Sequence, residues 1–346
     1  MKNVRSLIVL ALISMLFAFP GLIQASQADK VHKLKMADSF PIGHPVNKMA
    51  KYFIEKVANF SEGKIEIEYY PAQQLGKLKD MLKLCRGGMT DIAYVAPTFF
   101  AGQLPLQTVM VLPFWTTATE GTRLYNALMN DSPELLGELT KYKVKPLIIV
   151  TTSQYDVGTV KKPVTKPQDL KGLRLKSSGG IFERIAARYG IAPVTIASPE
   201  VYEATQRGIV DGNIFSLPSV KGYRVNELEK YHTLGLRMGG FPGMYIINSK
   251  RFQKLPPDLQ QALKDAASDT ANWFGLFWDK MVAGLAKKFE AQGMKIYRVK
   301  GEDRAMWDGP IKEIEEEWIT DMEKRKAPGR IVFQKLMEKV KAIVKE

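Results

Sequence analysis

Few residues in this 346-residue chain have the types and spacing that catalysis or metal binding requires. The three histidines, His32, His44 and His232, form no metal-ligand spacing with cysteine, aspartate or glutamate. The sequence contains no G-x-S-x-G elbow, no Walker loop and no G-x-G-x-x-G fingerprint. Cys85, the single cysteine, lies among apolar residues and is expected to be a buried small hydrophobe. We therefore expect no catalytic residue, no metal site and no cofactor.

One cation stands where an anion could bind. In the stretch LKGLRLK (170–176), strand alternation puts Arg174 and Lys176 on the same face, with Lys176 nearer the end. Ser177, Ser178 and two glycines follow and open a predicted helix, whose free backbone N–H groups favour an anion. Lys176 is therefore a candidate seat for a carboxylate. The alternative is that both cations lie on the surface of an exposed strand.

The elements that would position Lys176 form two series of alternating strands and helices, in residues 33–96 and 145–215. This order predicts an α/β fold with doubly wound, mainly parallel sheets. In the second series Ser198 is expected to be the N-cap of a helix. Each series has a helix that ends at glycine shortly before Asp91 or Asp211. The phrases RGGMTDIAY and RGIVDGNIF are therefore expected to occupy the same corner of two similar units.

A long helix is predicted after the second series. Residues 258–292 contain no proline, which predicts a helix of about 35 residues. At 1.5 Å per residue it would be about 50 Å long and could run along two lobes. A strand near 294–299 and helices near 303–325 and 330–345 complete the chain.

The composition and the first residues limit the class of protein. A chain of 346 residues favours two domains. The net charge of +14 is spread among interleaved acids, which indicates a solvated surface and no nucleic-acid partner. Residues 1–28 have a basic start, an apolar run and small residues before a cleavage point after Ala25 or Ala28. This layout predicts a secretory signal peptide and a periplasmic protein, the alternative being a retained membrane anchor.

In open α/β sheets a ligand binds beyond the carboxyl ends of the strands. The candidate ligand-binding residues at those ends are Phe40, Tyr94, Lys176, Ser177, Ser178, Asn213 and Phe215. His44 and Met244 are further candidates, and Met244 is expected to line the cleft. His44 precedes the first helix and could supply a hydrogen bond. The aromatic members predict an apolar pocket wall, although core packing is an equal explanation for Phe215.

The chain resembles the solute-binding proteins of tripartite ATP-independent periplasmic (TRAP) transporters over essentially its whole mature length. The stretches that carry this resemblance are YYPAQQLGKLKDMLKLCRGGMTDIAYVAP, VLPFW, DLKGLRLK, SPEVYEATQRGIVDG and NSKRFQKLPPDLQQALKDAA. The resemblance implies a two-lobed periplasmic binding protein-like fold with the long helix crossing both lobes. It also implies an organic acid as ligand and the membrane subunits of a TRAP transporter as partners, with uptake driven by an ion gradient.

The sequence departs from the family pattern at two positions. Much of the family has an arginine where this chain has Lys176, and an arginine grips a carboxylate with a planar fork that lysine lacks. The asparagine often found shortly after VDG is missing, since the sequence there runs Asn213-Ile214-Phe215. Anion binding survives these changes, and the pocket is expected to be more apolar or aromatic.

These observations predict a receptor for a monocarboxylate with an apolar or aromatic body, and not an enzyme. Lobe 1 is expected to comprise residues 31–152 and 242–275, and lobe 2 residues 153–241 and 276–346. Two alternatives stay open. One is an enzyme on the same scaffold that would use Cys85 or His44, and the other is a receptor that presents its ligand to a membrane sensor.

Overall fold

Two β-sheets with surrounding helices form the protein, in a computed structural model that describes residues 30–344. The strands in these residues are β1 His32–Ala37, β2 Ile65–Tyr70, β3 Ile92–Val95, β4 Val144–Thr151, β5 Asp156–Thr159, β6 Arg174–Ser177, β7 Ala192–Thr195, β8 Gly212–Phe215, β9 Tyr231–Leu234, β10 Pro242–Asn248 and β11 Lys295–Arg298. The predicted signal peptide, residues 1–28, lies outside the described residues.

The helices pack around these sheets. In chain order they are α1 Pro45–Phe60, α2 Met81–Gly87, α3 Ala118–Asp131, α4 Pro133–Lys141, α5 Ile181–Arg188, α6 Val201–Gln206, α7 Leu217–Gly222, α8 Ser249–Gln253, α9 Pro257–Ala291, α10 Arg304–Asp308, α11 Ile314–Lys324 and α12 Gly329–Ile343. Within residues 30–344, none of them has the length and apolar character needed to span a membrane.

The first sheet has the strand order β2-β1-β3-β10-β4, and the second has the order β11-β9-β5-β8-β6-β7. The βαβ units pair in parallel, as the alternation of elements predicts. Each sheet is nevertheless mixed, because β10 pairs antiparallel with β3 and β4, and β5 pairs antiparallel with β8 and β9. Each of these strands is reached directly from the other sheet, without the crossover helix that would make it parallel to its neighbours.

Two segments, residues 152–155 and 235–241, connect the sheets and bond to each other. The Tyr155 N–H donates to the Gly239 carbonyl at 2.8 Å, and the Met238 N–H donates to the Tyr155 carbonyl at 2.9 Å. The 35-residue helix α9 packs against α1, α3 and β4 of the first sheet and against α7 and β11 of the second. The predicted two-lobed fold and long helix are confirmed. The exact lobe boundaries stay a prediction.

The two corners predicted from the repeated phrases are built alike. The Asp91 N–H donates to the Lys35 carbonyl at 3.0 Å, and the Asp91 carboxylate accepts the Lys35 N–H at 2.8 Å. Asp211 makes the same pair of bonds with Arg174, at 2.7 and 2.9 Å. In each unit an aspartate thus fixes the register between its strand and the first strand of the unit.

Three local predictions need correction. Strand β6 begins at Arg174 and not at residue 170, because a 3-10 helix ends at Leu170 and Gly172 turns the chain with φ +77°. Ser198 does not cap a helix with its side chain but starts a short 3-10 helix before α6. The helix predicted near 303–325 is interrupted at Gly309–Ile311, where Pro310 cannot continue it. The helices α3, α4, α7 and α8 were not predicted.

Candidate functional site

The carboxyl ends of the strands from both sheets meet in a closed cluster of side chains. We name it the interlobe cluster. Its members are Phe40, His44, Tyr94, Lys176, Ser178, Ser198, Phe215 and Tyr223, and all of them are buried. Six of the predicted ligand-binding residues therefore come together. Ser198 and Tyr223 were missed as site residues.

Lys176 is fully buried at the end of β6, with 0% of its surface exposed. Its Nζ donates to Ser178 Oγ at 2.9 Å and to Ser198 Oγ at 3.1 Å, and lies 4.2 Å from the centre of the Phe215 ring. No acidic side chain among the described residues pairs with it. Burial lowers the pKa of Lys176 to about 7, because desolvation disfavours the charged amine. A buried cation with only hydroxyls and a ring around it lacks a counter-ion.

Arg174 does not join Lys176. Its guanidinium forms a bidentate ion pair with Asp211, with Nη2 2.8 Å from Oδ1, and half of its side chain is exposed. The alternative that both cations lie on an exposed strand is thus wrong for Lys176. It describes Arg174 correctly.

Aromatic rings connect Lys176 to the opposite sheet. Phe215 stacks on Tyr223 with ring centres 5.4 Å apart, and Tyr223 lies 4.7 Å from the His44 ring. His44 in turn stacks on Phe40 at 4.5 Å, and Phe40 meets the edge of Tyr94 at 4.8 Å. Phe215 and Tyr223 come from the second sheet and its helix α7, whereas the other rings belong to the first. The rings therefore form an apolar wall that continues across the two lobes.

The position of His44 follows from the start of α1. Pro45 occupies the first helical turn, and His44 Nδ1 accepts the Val46 N–H at 3.2 Å as the N-cap. The imidazole is 1% exposed, and its Nε2 has no hydrogen-bond partner. Burial lowers the pKa of His44 to about 3, so the ring is neutral at physiological pH. A Cβ at Gly222 would clash with this ring, so glycine there allows α7 to approach.

Other buried polar atoms without a protein partner lie at the same edge of the sheets. They are Thr98 Oγ1 after β3, Ser216 Oγ after β8 and Gln154 Nε2 in a crossing segment. Because buried polar groups are normally hydrogen-bonded, these atoms are suited to a polar ligand or to water.

Asp38 lies behind the aromatic wall, next to the end of β1. Its carboxylate accepts hydrogen bonds from the Phe40 N–H at 2.9 Å, from the Tyr245 hydroxyl at 2.7 Å and from the Tyr69 hydroxyl. Burial raises the pKa of Asp38, although these donors oppose the shift. Three donors hold this acid in place behind the wall.

The remaining three predicted residues lie apart from the interlobe cluster in their contacts. Ser177 Oγ accepts the Gly179 N–H at 3.1 Å and so shapes the turn before α5. Asn213 donates to the buried Glu229 carboxylate. Met244 is buried in β10, opposite Val95. Ser177 and Asn213 were predicted from their place at a strand end, and Met244 as a residue lining the cleft.

Two signals could have revealed the missed residues. Ser198 follows β7 and hence also stands at a strand end, but a serine before proline and an acidic residue resembles a helix cap. Tyr223 directly follows α7. Burial raises the pKa of its hydroxyl, and a hydrogen bond with the Ser198 side chain partly opposes this shift. Nothing in the local sequence distinguishes Tyr223 from a core residue.

Cys85, a candidate nucleophile of the alternative enzyme, lies elsewhere. It is fully buried in α2, and its Sγ donates weakly to the Asp91 carbonyl at 3.4 Å. Burial raises the pKa of the thiol and so disfavours the thiolate. Among the described residues, no group of three or more histidine, cysteine, aspartate or glutamate side chains is placed to hold a metal ion.

Solved structures share this fold. A TRAP solute-binding protein from Rhodoferax ferrireducens T118, in complex with copurified benzoate, aligns with a TM-score of 0.84 and 24% identity over 90% of this chain and 98% of its own. A marine metagenome TRAP solute-binding protein specific for aromatic acid ligands, with 3-hydroxybenzoate, aligns with a TM-score of 0.83 and 23% identity over 91% and 100% of the two chains. These alignments support the architecture described above.

The sequence comparisons lead to the same class of protein. The C4-dicarboxylate-binding periplasmic protein DctP of Rhodobacter capsulatus is 24% identical over 279 residues, which cover 79% of this chain and 82% of that protein. The family model DctP, described as bacterial extracellular solute-binding protein, family 7, matches residues 36–321. The chain therefore belongs to this family and is a TRAP solute-binding protein, whose partners are small organic acids and the membrane subunits of a TRAP transporter.

Proposed function

We propose that this protein is an exported receptor that binds a monocarboxylate with an apolar or aromatic body between its lobes and delivers it for ion-gradient-driven uptake. The observation that carries the proposal is the buried Lys176, which has no acidic partner among the described residues. A ligand carboxylate would supply the missing counter-ion, and the hydroxyls of Ser178 and Ser198 would share the hydrogen bonds.

The charges of the interlobe cluster favour a single carboxylate. Lys176 is the only cation among its members, and the acid Asp38 lies behind the opposite wall. A second carboxylate would be buried without a countercharge, which is costly. The rings of Phe40, Phe215 and Tyr223 offer apolar and aromatic surface for the body of the ligand. Benzoate and 3-hydroxybenzoate, found in the similar structures, combine one carboxylate with such a body.

The proposal is tested by measuring equilibrium binding of the mature protein to matched acids, by calorimetry. Benzoate is expected to bind more tightly than terephthalate and far more tightly than benzamide, which lacks the charge. In Lys176→Met the affinity for benzoate should fall by about 2–5 kcal/mol, because a buried charged contact is lost. Lys176→Arg, which keeps the charge, should retain part of the affinity. Tight binding of benzamide, or unchanged affinity in Lys176→Met, would contradict the proposal.

The same preparation separates the alternatives. A receptor returns its ligand unchanged, so mass spectrometry after prolonged incubation with benzoate should find no product. Cys85→Ser should bind benzoate as the natural protein does, since Cys85 lies outside the interlobe cluster. Conversion of a bound acid into a product would instead support the enzyme. Uptake by cells that carry the membrane subunits distinguishes a transport receptor from a sensor.

A further inference from the structure

We infer that His44 selects ligands that carry a neutral hydrogen-bond acceptor on the side remote from the carboxylate. The inference rests on the proposed function, since it assumes that Lys176 holds the carboxylate. It concerns a different residue and a different part of the ligand, so it can fail while the proposed function stands.

The hydrogen bond at the N-cap fixes the tautomer of His44. Nδ1 accepts the Val46 N–H at 3.2 Å and hence carries no proton. A neutral imidazole has one N–H, so the proton lies on Nε2. Nε2 is buried and has no partner among the described residues. His44 therefore presents a donor whose hydrogen bond is left for the ligand, and a buried donor of this kind is costly to leave unsatisfied.

The donor lies on the aromatic wall two rings away from the cation, where the wall passes to the first sheet. Phe215 carries Lys176 Nζ over its ring, Tyr223 stacks on Phe215, and His44 follows Tyr223. Two rings thus separate Nζ from the imidazole. A ligand with its carboxylate on Lys176 and its body along these rings would bring its distal substituent to His44.

The chemistry of this end favours a neutral acceptor over an anion. A neutral imidazole supplies one hydrogen bond and no positive charge. Asp38, two residues before Phe40, accepts the Phe40 N–H and places an acid behind the ring that stacks on His44. An ionised distal group would lose its hydration without gaining a countercharge. The class inferred comprises hydroxy-, alkoxy- or oxo-substituted monocarboxylates.

The experiment compares acids of similar size that differ only in the distal group. The probes are 3- and 4-hydroxybenzoate, 3- and 4-methylbenzoate, isophthalate and terephthalate, with benzoate as reference. In the natural protein at least one hydroxybenzoate should bind about tenfold or more tightly than the methylbenzoate of the same position, because the methyl group leaves Nε2–H unpaired. Both dianions should bind more weakly than benzoate.

The matched variant is His44→Asn. An asparagine keeps an N-cap acceptor for the Val46 N–H, and its shorter side chain withdraws the donor from the ligand. The ratio of hydroxybenzoate to methylbenzoate affinity at the preferred position should fall to about one, whatever change in benzoate affinity the loss of the imidazole ring itself causes. A ratio that stays the same in His44→Asn, or a natural protein that prefers the methylbenzoate at both positions, would overturn the inference. If the natural protein did not bind benzoate at all, that result would instead count against the proposed function.

A second measurement needs no substitution. In protein labelled with ¹⁵N-histidine, NMR reports which imidazole nitrogen carries the proton. The His44 proton should be on Nε2, and its resonance should move downfield with the preferred hydroxybenzoate but not with the matching methylbenzoate. A proton on Nδ1, or equal shifts with both acids, would refute the assignment even if His44→Asn failed to fold.

Discussion

The two α/β units share one backbone design but differ in the side chains that stand beside it. Ala37 in the first unit occupies the position that Lys176 has in the second. Ala37 pairs with Ala93 in its sheet, and Lys176 pairs with Asn213 at the same place in the other sheet. Two residues after these partners, the first unit has Val95 and the second has Phe215. These two positions hold the apolar residues Ala37 and Val95 in the first unit. In the second unit they hold the cation Lys176 and the aromatic ring of Phe215.

This difference separates what holds the fold from what binds the ligand. The backbone bonds at the corners are the same in both units, so they set the positions and not the chemistry. The first unit contributes apolar packing, aromatic rings and the neutral His44. The second contributes charge and hydroxyls. The proposed function therefore assigns anion binding to the second unit and closure over the body of the ligand to the first.

Moving the cation to the first unit should have the largest effect. Ala37→Lys puts an amine at a fully buried alanine position, in a unit that has Val95 where the second unit has the ring of Phe215. The free energy of unfolding should fall by about 3–5 kcal/mol, as for other uncompensated buried charges. Chemical denaturation measures this change, and Ala37→Met serves as control for side-chain volume. If both variants lost the same stability, the charge would not be responsible, and the contrast between the units would be one of volume alone.

Substitution of either corner aspartate should lower the stability of the protein by a similar amount, but the two substitutions should differ in their effect on ligand binding. Asp91→Asn and Asp211→Asn each weaken a backbone bond and an ion pair, so each should cost about 1–3 kcal/mol in unfolding. Only Asp211→Asn should also weaken benzoate binding severalfold, because Asp211 bonds to Arg174, two residues before Lys176. Denaturation and calorimetry on both variants make the test. Equal losses of benzoate affinity would contradict the division of roles.

The corners were predictable from sequence because glycine and aspartate act locally. A helix followed by Gly88 or Gly208, each with positive φ, leads into a strand that starts near an aspartate, and this order can be read from the sequence. The burial of Lys176 was not visible, since strand alternation placed it with the exposed Arg174. Its environment is made by Ser198 and Phe215, which the chain brings together only by folding. Tyr223 was missed for the same reason.

The pH dependence of benzoate binding tests the charge of the second unit. Burial lowers the pKa of Lys176 to about 7 in the free protein, and a bound carboxylate would raise it. Binding then takes up a proton above pH 7, so affinity should be level below pH 7 and fall by about tenfold per pH unit above it. Calorimetry in buffers of different ionisation enthalpy measures the proton uptake. Lys176→Arg should show no such fall, since arginine stays charged.

The same shift predicts a trend in stability. Between the lowered pKa of about 7 and the ordinary value of 10.5, the unfolded lysine binds a proton that the folded one does not. The contribution of Lys176 to the unfolding free energy of the ligand-free protein should therefore rise as pH rises through this window. The difference between the natural protein and Lys176→Met isolates this contribution. A difference that is constant from pH 7 to 10 would exclude the buried, deprotonating amine.

The smallest effect is expected from one hydroxyl of the second unit. Ser198→Ala removes an acceptor that lies 3.1 Å from Lys176 Nζ and leaves Ser178 in place. The affinity for benzoate at pH 7 should fall by about 0.5–1.5 kcal/mol, because the charged amine loses one neutral hydrogen bond. The level part of the pH profile should also end at lower pH, since the protonated form is less stabilised. In the first sheet, Tyr245→Phe removes a hydroxyl from the buried acid Asp38 and should leave this profile in place. A profile displaced by Tyr245→Phe but not by Ser198→Ala would reverse the assignment of the anion site to the second unit.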